Sequence, residues 1–182
     1  MGAKAGGVVI MNIHNGEIVA LASSPDFNAN KERGELGKNK DSSIYFNRVV
    51  QGVYEMGSTF KIFSVAQGLE KDLFTLDSLI DTRAFRINSR KIEDKYKFNS
   101  ESSIYEIIVR SSNVGSARLA LMVGEKGLKE IFSKLGLLEP VRLELREANT
   151  TRPILPKNWH EITLATVSYG YGMSCLLYTS PS

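Results

Sequence analysis

The sequence predicts a mixed α/β or α+β domain, and three observations support this prediction. The first is a pair of β-rich runs at residues 7–13 and 17–23, separated by an Asn-Gly turn. The second is a series of later segments whose apolar residues recur at helical spacing. The third is size and composition, since 182 residues with 42% apolar and 24% charged side chains suit one globular domain with its own core.

The two amino-terminal runs are expected to form a β-hairpin. The turn is His14-Asn15-Gly16, and an Asn-Gly pair between two β-rich runs is the strongest short hairpin signal. Because both runs are almost continuously apolar, we expect the strands to be covered on both faces, as in a sheet between helices.

Residues 25–41 follow the hairpin and predict a solvated loop. They are rich in Asn, Lys, Gly and Glu and show no periodicity. The charged cluster at residues 31–40 belongs to this loop, and a phosphate-binding patch is its alternative interpretation.

Two helices are predicted in the middle of the chain. The first covers residues 57–71, where apolar side chains form a broad helical face and Ser58 lies in the first turn. The second starts at a capping box formed by Ser103 and Glu106, and it is expected to end near Ser111.

Two further helices are predicted in the second half of the chain. They cover residues 114–123 and 125–135, with Gly124 as the stop between them and Gly136 as the C-cap of the second. Residues 72–100 are interpreted only as strand-like pieces and polar turns.

Charge and cysteine content exclude several classes of function. The net charge of +3 by itself requires no polyanionic partner, so nucleic-acid binding is not favoured. Cys175 is the only cysteine, so neither an intramolecular disulfide nor a zinc cluster of cysteines can form. No apolar run approaches the roughly 18 residues of a membrane helix, and no apolar signal region follows Met1. We therefore expect the chain as it stands to be soluble, without a targeting segment.

Two short motifs carry the candidate chemistry. Ser58-Thr-Phe-Lys61 is a Ser-x-x-Lys motif, and Ser111-Ser-Asn113 is a Ser-x-Asn motif between two predicted helices. Each spacing occurs by chance about once in a chain of this composition, so the physical context must decide. On a helix, Ser58 and Lys61 share one face about one turn apart, so that their side chains can meet.

A serine hydroxyl is a weak nucleophile until a base takes its proton, and a lysine whose pKa is lowered by burial can be that base. A helix N-terminus beside Ser58 supplies partial positive charge, and an oxyanion would develop near the Ser58 amide. The structural alternative is an N-cap serine with a solvated lysine. Against it, Lys61 is flanked by Phe60, Ile62 and Phe63 in a mostly apolar helix, where a lysine is unusual.

Further sequence blocks accompany the two motifs in a fixed order. The whole set is Gly7-Val-Val-Ile-Met-Asn12, Gly16-Glu-Ile-Val-Ala-Leu-Ala-Ser23, Pro25-Asp-Phe-Asn28, Asn47-Arg48, Tyr54-Glu-Met-Gly-Ser-Thr-Phe-Lys61, Ser111-Ser-Asn-Val-Gly115, Leu135-Gly-Leu137, Pro156-Lys-Asn-Trp159 and Ser168-Tyr-Gly-Tyr-Gly-Met-Ser174. With these blocks, the chain from Gly6 to Ser174 resembles the transpeptidase domain of class B penicillin-binding proteins. It is more similar to the septal, division-specific type than to the elongation type.

The resemblance implies a fold and a reaction. The implied fold is that of penicillin-binding proteins and serine β-lactamases, an antiparallel central sheet with helices on both sides. The implied enzyme is a serine D,D-transpeptidase that attacks the D-Ala-D-Ala bond of a peptidoglycan stem peptide, releases the last D-Ala and passes the acyl group to an amine on a neighbouring strand.

The resemblance also implies partners and a location. The partners are peptidoglycan stem peptides, β-lactam antibiotics and membrane proteins of division or elongation, with no nucleic acid and no metal or organic cofactor. The parent protein is expected at the periplasmic, extracytoplasmic face of the inner membrane.

By motif match, the resemblance implies a role for each site residue. Ser58 is the expected nucleophile and Lys61 the base that activates it. Ser111 is expected to relay a proton toward the leaving amine, and Asn113 to hold Lys61 and the substrate amide. Ser58, Ser111 and Asn113 are thus also the expected substrate-binding residues.

The sequence departs from the family pattern in two places. No lysine is followed by Thr-Gly or Ser-Gly, so the family's third motif, Lys-Thr/Ser-Gly, has no counterpart here. After Ser174, the run Cys-Leu-Leu-Tyr-Thr-Ser-Pro-Ser also differs from the family. We therefore expect residues 1–174 to be a partial transpeptidase domain, truncated at its C-terminus and inactive alone. Residues 175–182 are expected to be a tail unlike the family and a candidate artefact.

Two other functions compete with this interpretation. A β-lactamase or β-lactam sensor also uses Ser-x-x-Lys, but class A enzymes carry Ser-Asp-Asn where Ser112 takes the middle position here, and no deacylation base is evident. A non-catalytic interaction fragment would use its mild positive charge to contact acidic cell-wall polymer or partner proteins.

The remaining candidate residues are expected to have structural roles. His14 and His160 have no evident partner and are expected to be structural. Trp159 is expected in the core or a lid, and residues 169–172 in a loop near the cleft.

Overall fold

The computed structural model describes residues 2–28, 30, 44–140, 143–148 and 151–177. The strands are β1 (Gly6–Met11), β2 (Ile18–Ser24), β3 (Val53–Tyr54), β4 (Leu79–Asp81), β5 (Phe85–Ile87), β6 (Arg90–Ile92), β7 (Glu101–Ser103) and β8 (Cys175–Leu176). The helices are a 3-10 helix (Gly57–Phe60), α1 (Lys61–Glu70), α2 (Ile104–Val109), α3 (Asn113–Lys134) and α4 (Glu161–Ser168). Within the described ranges the strands pair as β1–β2, β3–β8, β4–β7 and β5–β6, and every pair is antiparallel. The mixed α and β fold that the sequence predicts is confirmed.

The main core lies where α1 and α4 pack against α3. Three buried phenylalanines, Phe60, Phe63 and Phe132, join the end of the 3-10 helix, α1 and α3, with ring centroids 5.0 to 5.8 Å apart. Edge-to-face and tilted aromatic contacts at these distances favour one relative placement of the elements. The start of α1 is therefore fixed against a rigid neighbour.

The α3 helix is interrupted at Gly124, which has φ 72° and ψ 173°. The break lies between the two helices predicted at residues 114–123 and 125–135, so the predicted stop is confirmed. Gly136, just after the helix, has φ 70°, as a glycine C-cap requires.

The predicted helix over residues 57–71 differs from the structure at its start. Residues 57–60 form a 3-10 helix, and the α-helix begins only at Lys61. The N–H of Lys61 donates to the carbonyl of Ser58, and this tighter i to i+3 bond is typical of helix ends. Ser58 thus lies in a 3-10 turn that leads into α1.

The α2 helix begins at its predicted cap and ends earlier than expected. The Ser103 hydroxyl accepts a hydrogen bond from the Glu106 N–H at 3.2 Å, which confirms this half of the capping box. The helix ends at Val109 instead of near Ser111. The reason is that Ser111 has φ 59°, a left-handed conformation that cannot continue a right-handed helix.

The predicted hairpin is confirmed, but the prediction that both its faces are covered is wrong. Val9 and Leu21 pack toward the buried Val49. On the opposite face Val8 and Ile10 are 56% and 52% exposed. The side chains of a strand alternate between its faces, and only one face of this hairpin meets a cluster of described core residues.

Several sequence predictions lie at or beyond the edge of the described residues. The charged cluster at residues 31–40 lies outside them, and so do residues 178–182 of the carboxy-terminal run. Cys175 and Leu176 are buried in β8, which pairs with β3. In the ranges that the structure describes, no helix combines the length and the apolar character needed to cross a membrane.

Candidate active site

Ser58 is the second residue of the 3-10 helix, four positions after the end of β3. The chain enters this turn through Gly57, which has φ 57°. Ser58 is exposed, while Phe60, two residues later, is buried in the core. The turn therefore presents a hydroxyl at the surface from a backbone that is anchored below.

Lys61 starts α1, three residues after Ser58, and its side chain is almost completely buried. Only 2% of Lys61 is exposed. Burial lowers the pKa of the Lys61 ammonium to about 8, because the charged form loses water, and the carboxylate of Asp94 acts in the opposite direction. A substantial fraction of Lys61 is therefore neutral near physiological pH and able to accept a proton.

The Lys61 amine is held by one residue of the α2–α3 connection. Its Nζ atom donates to the carbonyl oxygen of Ser111 at 2.5 Å and to the hydroxyl oxygen of Ser111 at 2.8 Å. The left-handed backbone of Ser111 turns the carbonyl and the hydroxyl toward the same amine. The structure thus brings together two of the residues that the sequence singled out.

The other two predicted residues are near the motif but are not bonded to it. Neither the Ser58 hydroxyl nor the Asn113 side-chain amide forms a hydrogen bond with any residue that the structure describes. Asn113 is nevertheless the first residue of α3, two positions after Ser111. Catalytic hydrogen bonds commonly tighten only when substrate binds, so the open Ser58 hydroxyl is compatible with a nucleophile.

Asp94 is a site residue that sequence reasoning missed. Its carboxylate accepts hydrogen bonds from the Ser112 hydroxyl at 2.6 Å and from the N–H groups of Asn113 and Val114 at 2.5 and 3.2 Å. The Ser112 hydroxyl in turn accepts from the N–H of Gly115 and caps α3. A carboxylate at a helix N-terminus is favourable, since it meets free N–H groups and the positive end of the dipole.

The sequence carried only a weak signal for such a residue. The first turn of α3 contains no acidic side chain, so a carboxylate from elsewhere in the chain can take the favourable position there. Asp94 lies among residues 72–100, whose irregular sequence gave no indication of which carboxylate this would be.

The weaker candidates lie away from this cluster. His14 is exposed in the hairpin turn, and His160 is exposed at the start of α4. Trp159 packs at the core, 6.3 Å from the Phe132 ring, with the ammonium of Lys129 over its face.

The other residues considered for chemistry are metal ligands and the single cysteine. No group of three or more His, Cys, Asp or Glu side chains that could hold a metal ion occurs among the described residues. Burial raises the pKa of the Cys175 thiol to about 11, so this cysteine is not a nucleophile at neutral pH.

An exposed serine one turn before a buried, partly neutral lysine, with a second serine on that lysine, is the arrangement of the serine–lysine class of acyl-transfer sites. The comparison with known families agrees with this class. The chain belongs to the penicillin-binding protein transpeptidase domain family, whose profile matches residues 6–181.

Curated relatives and solved structures give the same result. The chain is 39% identical over 167 residues to the probable peptidoglycan D,D-transpeptidase FtsI of Caulobacter vibrioides, covering 91% of this chain and 27% of that protein. It is 31% identical over 171 residues to the peptidoglycan D,D-transpeptidase FtsI of Escherichia coli, covering 94% and 28%. The apo transpeptidase domain of penicillin-binding protein 3 from Burkholderia pseudomallei superimposes with a TM-score of 0.80 at 26% identity, covering 97% of this chain and 48% of that one. The chain thus spans about a quarter of the length of these curated relatives.

Proposed function

We propose that this chain is part of a peptidoglycan D,D-transpeptidase that forms an acyl-enzyme on Ser58. The observation that carries the proposal is the buried Lys61 amine, which is bonded to Ser111 one turn from an exposed serine. Burial lowers the pKa of this amine to about 8, as a base at this position requires. Membership of the transpeptidase family and the names of the FtsI relatives support the same reaction.

The first half-reaction begins with proton transfer to Lys61. The neutral amine takes the proton of the Ser58 hydroxyl while the serine oxygen bonds to the carbonyl carbon of the penultimate D-alanine. The resulting oxyanion develops near the Ser58 amide.

The intermediate then collapses with loss of D-alanine. The carbon–nitrogen bond breaks as the leaving nitrogen receives a proton from the Ser111 hydroxyl, which is replenished from Lys61 through their hydrogen bond. An acyl ester on Ser58 remains. In this scheme Asn113, at the start of α3, holds the substrate amide and accepts the third N–H that Lys61 gains when it takes the proton.

The second half-reaction retraces these steps. An amine of a neighbouring stem peptide attacks the ester carbonyl and gives up its proton along the same path. Ser58 regains its hydroxyl proton, and a new amide cross-link forms. A β-lactam ring opens on Ser58 by the same attack, so β-lactams are the natural probes of this site.

The wider role follows from the relatives and is also proposed. This role is septal cell-wall synthesis at the extracytoplasmic face of the inner membrane, with division membrane proteins as partners, and the similarity to proteins named peptidoglycan D,D-transpeptidase supports its cell-wall part.

Labelling with a fluorescent penicillin tests the proposal. In the protein expressed from its complete reading frame, we expect one covalent label, mapped by peptide mass to Ser58 and lost in Ser58→Ala. Thr59→Ala is the matched control, because Thr59 carries an exposed hydroxyl on the next residue of the same turn. A label on Ser111, or labelling unchanged in Ser58→Ala, would contradict the proposal.

A further inference from the structure

The loop at residues 169–172, which we name the glycine loop, contacts the turn that carries Ser58. The N–H of Gly57 donates to the carbonyl of Gly170 at 3.2 Å. In the other direction, the N–H of Gly172 donates to the carboxylate of Glu55 at 2.7 Å. The segment from Glu55 to Ser58 is thus tied at two points to a loop more than a hundred residues away in sequence.

The contact at Gly170 leaves no room for a side chain. A Cβ atom on Gly170 would lie 1.9 Å from the carbonyl oxygen and 2.4 Å from the nitrogen of Gly57. Both atoms belong to the backbone, so a side chain at Gly170 would have to displace the turn itself. Gly170 also has φ 83°, which only glycine adopts without strain.

The glycine loop is in turn fixed to the core. The N–H groups of Gly170 and Tyr171 donate to the carbonyls of Val167 and Thr166 at 2.9 and 3.0 Å. Val167 is buried in the main core, because α4 packs against α3. Through Gly170, the end of α4 therefore fixes the position of the turn that carries Ser58.

We propose that Gly170 and Glu55 are positioning residues for the Ser58 nucleophile, acting through the backbone of Gly57 and the glycine loop. This inference rests on the proposed function of Ser58. Neither residue is placed against the reacting atoms. Their effect is to hold the Ser58 hydroxyl where Lys61 can take its proton.

The first test is Gly170→Ala, measured with a fluorescent penicillin in the protein expressed from its complete reading frame. We expect the first-order acylation rate at saturating penicillin to fall about 100-fold, because misplacing a reacting group by about 1 Å costs that much. The concentration at half-saturation and the final fraction of labelled protein should stay close to those of the wild type. A merely structural role would lower the labelled fraction through unfolding and leave the rate per folded molecule unchanged.

Gly136→Ala is the matched control. Gly136 has φ 70°, and a Cβ there would meet no atom within 4 Å. The substitution introduces similar backbone strain without displacing any neighbouring atom, so we expect reduced stability with a wild-type acylation rate.

Glu55 provides a second, milder test that holds even if Gly170→Ala fails to fold. Because Glu55 is exposed, its substitution should not unfold the protein. Glu55→Ala removes the acceptor of the Gly172 N–H and should slow acylation about tenfold. Glu55→Gln keeps an oxygen acceptor and should restore most of the rate.

The outcomes separate this inference from the function on which it rests. A wild-type protein that takes up no penicillin on Ser58 overturns both. If the wild type is labelled on Ser58, and folded Gly170→Ala or Glu55→Ala is acylated at the same rate as the wild type, only the positioning role is overturned.

Discussion

The Nζ atom of Lys61 lies within hydrogen-bond distance of both oxygens of Ser111, 2.5 Å from the carbonyl and 2.8 Å from the hydroxyl. A neutral amine has two N–H donors and one lone pair. With both donors directed to Ser111, the lone pair is left for the proton that the proposed mechanism takes from Ser58. In that mechanism, Ser111 orients the amine as a base through the hydrogen bonds that it accepts.

Lys61→Arg should nearly abolish acylation and leave the protein folded. A guanidinium remains protonated at every accessible pH, so it keeps the charge and loses the base. Proton transfer by a positioned group contributes about 10²–10⁴-fold, and we expect a loss of this size in the rate of penicillin uptake. Lys129→Arg, on the exposed face of α3, is the control and should acylate normally. An arginine variant that matches the wild-type rate would show that Lys61 is not the base.

Stability should rise with pH through the titration of Lys61. Its pKa is about 8 in the folded protein, against about 10.5 in an unfolded chain. Between these values the unfolded state binds more protons, so the free energy of unfolding increases with pH, by about 3 kcal/mol in total. Below pH 8 both states carry the proton, and the contribution is constant.

The measurement for this prediction is the difference in unfolding free energy between the wild type and Lys61→Met. Other groups that titrate in the same range cancel in the difference. A difference that is flat from pH 8 to 10.5 would show that the buried lysine keeps its ordinary pKa.

Asp94→Asn should shift the pH dependence of acylation to lower pH. The carboxylate raises the pKa of Lys61, so its removal lets the amine lose its proton more readily. The plateau rate should fall, because the Ser112 hydroxyl and the amides at the start of α3 lose their charged acceptor. Rates of penicillin uptake between pH 5 and 9 give midpoint and plateau separately. Glu93→Gln, next in the chain but paired with Lys91 at the surface, should change neither.

Gln67→Leu should stabilise the protein by about 1 kcal/mol. Gln67 is completely buried in α1, and neither its amide nitrogen nor its amide oxygen has a hydrogen-bond partner among the described residues. A leucine of similar size removes this unpaired polar group. Gln51→Leu is the contrasting variant, since the Gln51 amide accepts a bond from the Asn47 N–H at 2.8 Å and its loss should destabilise. Denaturant unfolding of both variants tests the pair, and a less stable Gln67→Leu would contradict the argument.

The sequence predicted those features that depend on interactions between residues close together in the chain. The cap at Ser103, the break at Gly124 and the left-handed Gly136 depend on neighbours within a few residues. The Ser58–Lys61 spacing likewise required only that residues about three apart share a face of a helix.

The features that the sequence did not predict depend on distant contacts. Asp94 accepts hydrogen bonds from the start of a helix that begins 19 residues later, and Gly170 is constrained by Gly57. Ser111 is left-handed although it is not a glycine, and the contact that distinguishes it is the pair of hydrogen bonds that it accepts from Lys61, 50 residues away in sequence. Such features exist only once the chain is folded, because the two partners are too far apart in sequence to appear together in any short segment.

The tie between Glu55 and Gly172 spans 117 residues of chain. Ribosomes add about 5–20 residues per second, so the turn that carries the serine leaves the ribosome roughly ten seconds before the loop that supports it. During that interval α1, which has 10 residues, is only marginally stable as an isolated helix, and the turn that carries Ser58 lacks its support. A nascent chain of this family therefore carries its reactive residues long before it carries a reactive site.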